Sequence, residues 1–96
     1  MRTIVFSKNY KKSMKDVRSY PAYDAKLLEE LILKIANGEK LDRQYNDHEL
    51  ASNSSLKDIR EFHLKTNLVV MYKIYPDRVE LIDIGKHNKI RLTSSL

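Results

Sequence analysis

Cysteine and tryptophan are absent from this chain, and glycine and proline occur only twice each. Without cysteine there is no disulfide framework, no thiolate zinc site and no thiol nucleophile. With glycine confined to Gly38 and Gly85, the chain has no glycine-rich phosphate loop and no serine-centred nucleophile elbow. No apolar run approaches the roughly 18 residues that a membrane-spanning helix needs. The opening Met1-Arg2-Thr3-Ile4-Val5-Phe6 breaks at Ser7-Lys8, too early for the apolar stretch of a signal peptide. These absences predict a cytoplasmic protein that makes no membrane contact and is held together by core packing alone.

What is present is ordinary globular chemistry, with 42% hydrophobic and 32% charged residues in 96 positions. That length suits one small domain, residues 1–96, with no room for a second core. Lysine and arginine number 18 against 13 aspartate and glutamate, and the excess sits at the two ends. Residues 1–18 carry six basic groups and one acid, and residues 84–96 carry Lys86, Lys89 and Arg91 with no acid. If the ends meet in space they make one basic surface suited to a polyanion. A solvated lysine-rich helix face explains the same charges without a partner.

The short β-branched and aromatic run Arg2 to Phe6 predicts a strand. Ser7 can cap a helix from about Lys8 to Arg18, whose apolar side is thin: Tyr10, Met14 and Val17. Tyr20-Pro21 breaks that helix. A second helix follows from Tyr23 or Asp24 to Asn37, with Leu27, Leu28, Leu31, Ile32, Ile35 and Ala36 in one wide stripe. Asn37-Gly38 stops it, glycine accepting the left-handed conformation at the helix end. Residues 39–56 are polar and aperiodic and predict a long loop. Three strands then follow, Asp58 to Leu64, Leu68 to Tyr75 and Arg78 to Ile84, joined by turns short enough for an antiparallel meander. The expected class is α+β: two N-terminal helices packed on a small antiparallel sheet in the order β-α-α-β-β-β.

Three histidines carry the chemical interest. His48 falls in the long loop, His63 near the end of the second strand and His87 just beyond the last. Period-2 alternation puts Glu61 on the face of His63 and turns Arg60 the other way. The hairpins bring His63 and His87 toward one end of the sheet, where the basic tail begins. Two histidines, a carboxylate and several cations suit RNA cleavage by the ribose 2′-hydroxyl. That reaction needs a base for the hydroxyl, an acid for the departing 5′-oxygen and positive charge at the phosphate. Imidazole titrates near neutral pH and can fill either proton role. Neither a metal nor a cofactor is required, and the histidine spacings match no compact metal-ligand motif. Three histidines are also an ordinary number for this length, so each alone fits a surface or loop position. Tyr72 and Tyr75 fit core packing, whereas Tyr10, Tyr20, Tyr23 and Tyr45 are freer to face a partner or stack on a base.

Tyr45-Asn46-Asp47-His48, Ile59-Arg60-Glu61-Phe62-His63, the apolar strand Leu68 to Lys73 and Ile84-Gly85-Lys86-His87 together resemble the YafQ branch of the RelE-like bacterial toxins. The resemblance covers the whole chain in order of elements and is specific over residues 41–87. It implies the toxin of a type II toxin–antitoxin pair: a ribosome-dependent endoribonuclease (mRNA interferase) that cuts mRNA by 2′-hydroxyl attack, without metal, and so inhibits translation. It also implies a cognate DinJ/RelB-like antitoxin that neutralises the toxin, and operator DNA contacted only through that complex. Carried over by position, His87, His63, His48 and Glu61 are the candidate catalytic residues. Arg60, Lys86, Lys89 and Arg91 are the candidate RNA- or phosphate-binding residues. The chain departs from its relatives at Asn67, where many carry aspartate, at Asp83, where some carry arginine, and around Ile90-Arg91, where an aromatic residue is common. A gyrase-directed ParE-like toxin, or a catalytically impaired binding module of the same fold, remains the alternative.

Overall fold

The computed structural model describes residues 1–50, 58–65 and 67–86. Strand β1 (Thr3–Phe6) leads into helix α1 (Lys8–Val17), and helix α2 (Ala25–Ala36) follows. A 3₁₀ turn (Arg43–Tyr45) precedes a two-residue strand β2 (His48–Glu49), and β3 (Ile59–Lys65), β4 (Leu68–Ile74) and β5 (Arg78–Lys86) complete the sheet. The α+β class and the meander of the last three strands hold.

Local chemistry sets each boundary. The Ser7 hydroxyl accepts from the Tyr10 amide at the start of α1, 3.0 Å away, and donates to the Ile82 carbonyl, tying the helix to β5. Asp24 caps α2 by accepting from the Leu27 amide. That helix closes with Gly38 N–H on the Ile35 carbonyl and Glu39 N–H on the Lys34 carbonyl. Gly38 sits at φ +81°, the left-handed conformation this closure requires.

The strand order is β1-β5-β4-β3-β2. One pairing departs from the expected all-antiparallel sheet: β1 lies parallel to β5, so the sheet is mixed. The cause is topological. The αα unit between β1 and the meander carries the chain across one face, and returning to the far edge fixes a parallel register beside β5. The second departure is β2, paired antiparallel with β3 inside the segment expected as loop.

Alternation divides the sheet into two faces. Phe62, Leu64, Leu68, Val70, Tyr72, Val79, Leu81 and Ile84 face the helices and pack with Tyr10, Val17, Leu28, Leu31, Ile32 and Ile35 in the main core. Tyr10, expected to be free for a partner, is therefore buried, because it is the largest member of the thin α1 stripe. Tyr75 goes the other way. It is half-buried and carries the Arg78 guanidinium 3.7 Å from its ring centroid, outside the core. On the second face Val69 and Met71 form a smaller apolar patch with Leu50, Ile59 and Ile82.

Candidate active site

The candidate site grows from the second face of β3. His48 of β2 stands opposite Glu61, and its Nε2 lies 3.1 Å from the Glu61 carboxylate. Its Nδ1 lies 2.7 Å from the Asn46 carbonyl oxygen. Both ring nitrogens thus face acceptors. Glu61 is wholly buried, and a carboxylate out of water is tolerated only against a donor or a cation. His63 lies two residues along the same face, its ring 6.3 Å from that of His48. Register carries the alignment further: His63 pairs with Val69, and Val69 pairs with Gly85. The row from His63 therefore ends at the residue two before His87.

His87, Lys89 and Arg91 lie outside the described residues. Arg60 and Lys86 fall on the other side of the sheet. Lys86 pairs with Leu68 of the core face and places its Nζ 5.0 Å over the Tyr20 ring. That contact brings Lys86, at the end of β5, beside the end of α1, where Arg18 is exposed.

Arg60 belongs to a network that the sequence did not reveal. Its Nε lies 3.3 Å from Asp47 Oδ1 and 3.3 Å from the Tyr72 hydroxyl, and that hydroxyl donates to the same carboxylate at 2.5 Å. Burial, and then the Asp47 carboxylate, push the Tyr72 phenol well above its ordinary pKa. Burial pulls the Arg60 guanidinium down, but Tyr72 and Asp47 more than offset it, and its pKa is raised. The left-handed Asn46 (φ 47°) turns the chain into this anchor. Asp47 is then held on the helix side, and alternation presents His48 on the other. The signal available in sequence was register: Arg60 and Tyr72 are cross-strand partners, and Asp47 directly precedes the β2 histidine.

Asp83 has a structural explanation of its own. It accepts from Ser13 at 2.6 Å, from Asn9 at 3.3 Å and from the Ile84 amide at 2.8 Å. A register shift in β5 opposite Met71 and Tyr72 accompanies this. The carboxylate fastens α1 to the sheet.

A cleft of about 510 Å³ opens next to this site, between the 3₁₀ turn and the end of β3, with His63 in its wall. The family model described as "Bacterial toxin of type II toxin-antitoxin system, YafQ" matches residues 2–92. The chain belongs to the YafQ toxin family. A metal-bound toxin from Helicobacter pylori is 34% identical, with TM-score 0.82 over 94% of this chain and 99% of that one. A copper-bound point mutant of a toxin from the same organism is 28% identical, with TM-score 0.84 over the same shares. The E. coli DinJ-YafQ complex matches at 25% identity and TM-score 0.79, over 94% and 98% of the two chains. No curated protein matches the chain. Among the described residues of this YafQ-family member, no helix is long and apolar enough to cross a membrane. Nor do three or more metal-ligating side chains cluster there.

Proposed function

We propose that this YafQ-family toxin is an mRNA endoribonuclease acting on the ribosome, with its histidine face as the active site. The observation that carries this is the pairing of His48 and His63, rings 6.3 Å apart, over the buried Glu61. A base takes the proton of a ribose 2′-hydroxyl, and the 2′-oxygen attacks the adjacent phosphorus. An acid then protonates the departing 5′-oxygen. The products are a 2′,3′-cyclic phosphate and a 5′-hydroxyl. His63 and His87 are assigned the proton transfers. His48, held by Glu61 and the Asn46 carbonyl, contacts the phosphate or takes one of those transfers. Lys89 and Arg91 add charge at the phosphate, and Lys86 adds backbone contact at the end of the sheet. Arg60 acts through Asp47 to hold β2.

The exposed Lys8, Lys11, Lys12, Lys15 and Arg18 give α1 a basic surface that suits ribosomal RNA or an acidic antitoxin segment. A DinJ-like antitoxin is the expected neutralising partner, with operator DNA reached through that complex and the protein acting in the cytoplasm.

Tightly repressed expression in a bacterium, with mRNA 5′ ends mapped for wild type and His87→Ala, tests the function. Cuts within translated codons that vanish in the variant are expected. Growth arrest without cuts would point to gyrase or another target, and a folded protein without effect would point to a binding module.

A further inference from the structure

The cleft beside His63 is walled by Gln44, Tyr45 and Asn46 of the turn, by Leu27 of α2, and by His63 and Lys65 of β3. Its chemistry is unlike that of a phosphate site, which gathers several cations. Among the described residues, Lys65 is the single lysine or arginine in the wall. Against it stand two exposed side-chain amides, aliphatic surface and the phenol ring of Tyr45, which is half-buried and rests in part on the main core. Among the described residues, neither the Gln44 nor the Asn46 side-chain amide hydrogen bonds within the protein; Asn46 is engaged through its backbone alone. A planar π face together with paired amide donors and acceptors matches one class of ligand on an RNA strand: an unpaired base, stacked on an aromatic ring and read along its edge.

The wall is also built before any ligand arrives. Tyr45 N–H donates to the Asp42 carbonyl and Asn46 N–H to the Arg43 carbonyl, each at 3.0 Å. The next residue, Asp47, is held by Arg60 and Tyr72. A loop fixed at both ends can discriminate between bases because little ordering remains to oppose binding. His63 belongs both to this wall and to the histidine pair, so an occupant of the cleft is the base of a nucleotide next to the scissile phosphate.

We propose that this cleft is the base-reading subsite of the toxin, holding a single unstacked nucleobase against Tyr45 with Gln44 and Asn46 on its edge. It deepens the RNA-cleaving function proposed above and rests on it. Gln44, Tyr45 and Asn46 are specificity-determining residues and take no part in proton transfer.

The test compares wild type with Gln44→Ala and Asn46→Gly, the glycine keeping the left-handed backbone that Asn46 occupies. Two readouts are needed: the base profile around mapped cuts, and binding of short single-stranded RNAs made non-cleavable by a 2′-deoxy ribose at the cut. Preference for one base at one position should fall about tenfold in the variants, with cutting retained at sites of relaxed sequence. Tyr45→Ala should weaken binding of all four bases together, since stacking tolerates any base. If the variants cut less but with an unchanged base profile, the subsite is overturned and the nuclease stands. If wild type does not cut, but binds the non-cleavable RNAs with a base preference that the variants lose, the subsite stands and the nuclease falls. If neither cutting nor base-dependent binding is seen, both fall.

Discussion

The two faces of the sheet are made by the same strands and differ in almost everything else. On β3, Phe62 and Leu64 enter the main core, while Glu61 and His63, one residue away, form the candidate site. The helix face gathers aliphatic and aromatic side chains under α1 and α2. The second face has a small apolar patch, and beside it a buried carboxylate with two imidazoles. Stability and chemistry are therefore assigned to alternate residues. A one-residue slip of β3 would exchange them wholesale.

The sharpest break in this division comes from paired substitutions on one strand. His63→Gln should lower RNA cleavage by about 10²–10⁴-fold while the denaturation midpoint barely moves. Its neighbour Phe62→Ala, fully buried, should cost about 3–5 kcal/mol in denaturant unfolding. Any loss of cleavage in it should track loss of fold. If the two effects were mixed, the faces would not be functionally separate.

Tyr72→Phe probes a place where the two faces are linked, through Asp47 and its neighbour His48. Removing the hydroxyl leaves Asp47 and Arg60 without their shared partner, at about 1–2 kcal/mol. Because Asp47 precedes His48, cleavage should also fall several-fold, a change that a purely structural core residue would not produce at full folding. The same phenol, with Tyr10, gives an alkaline signature. Both have a pKa raised mainly by burial, so their contribution is complete below the unfolded value near 10 and is lost as pH rises beyond it. Stability of the wild type should drop above about pH 10, and less steeply in Tyr72→Phe. The smallest effect belongs to Ser7→Ala, which removes a helix cap and a tie to β5 for about 1 kcal/mol and leaves cleavage unchanged.

Much of this arrangement was legible because periodicity and capping are local. The α2 stripe, the Ser7 cap, the Gly38 stop and the β3–β5 meander all follow from neighbours in sequence. What was missed depends on distant pairing. Whether β1 would join parallel or antiparallel is decided by where the αα unit returns the chain, which no residue within Thr3–Phe6 encodes. Strand β2 is two residues long, too short to show alternation. The sequence offers Arg60 as a candidate phosphate contact and hides its network, because its partners Asp47 and Tyr72 lie 13 and 12 positions away. Asp83 is a fastener for α1 by virtue of Asn9 and Ser13, at least 70 residues upstream. The candidate site itself was visible as histidines and a carboxylate at strand positions. Their meeting at β2 was not.

The most direct test of the histidine face is cleavage by the purified toxin on ribosomes programmed with a defined mRNA, with the chemistry of the new ends determined. Wild type should leave a 2′,3′-cyclic phosphate and a 5′-hydroxyl, and His63→Gln, folded to the same midpoint, should leave the message intact. Equal cleavage by the folded His63→Gln protein, or a 3′-hydroxyl at the cut, would contradict the assignment.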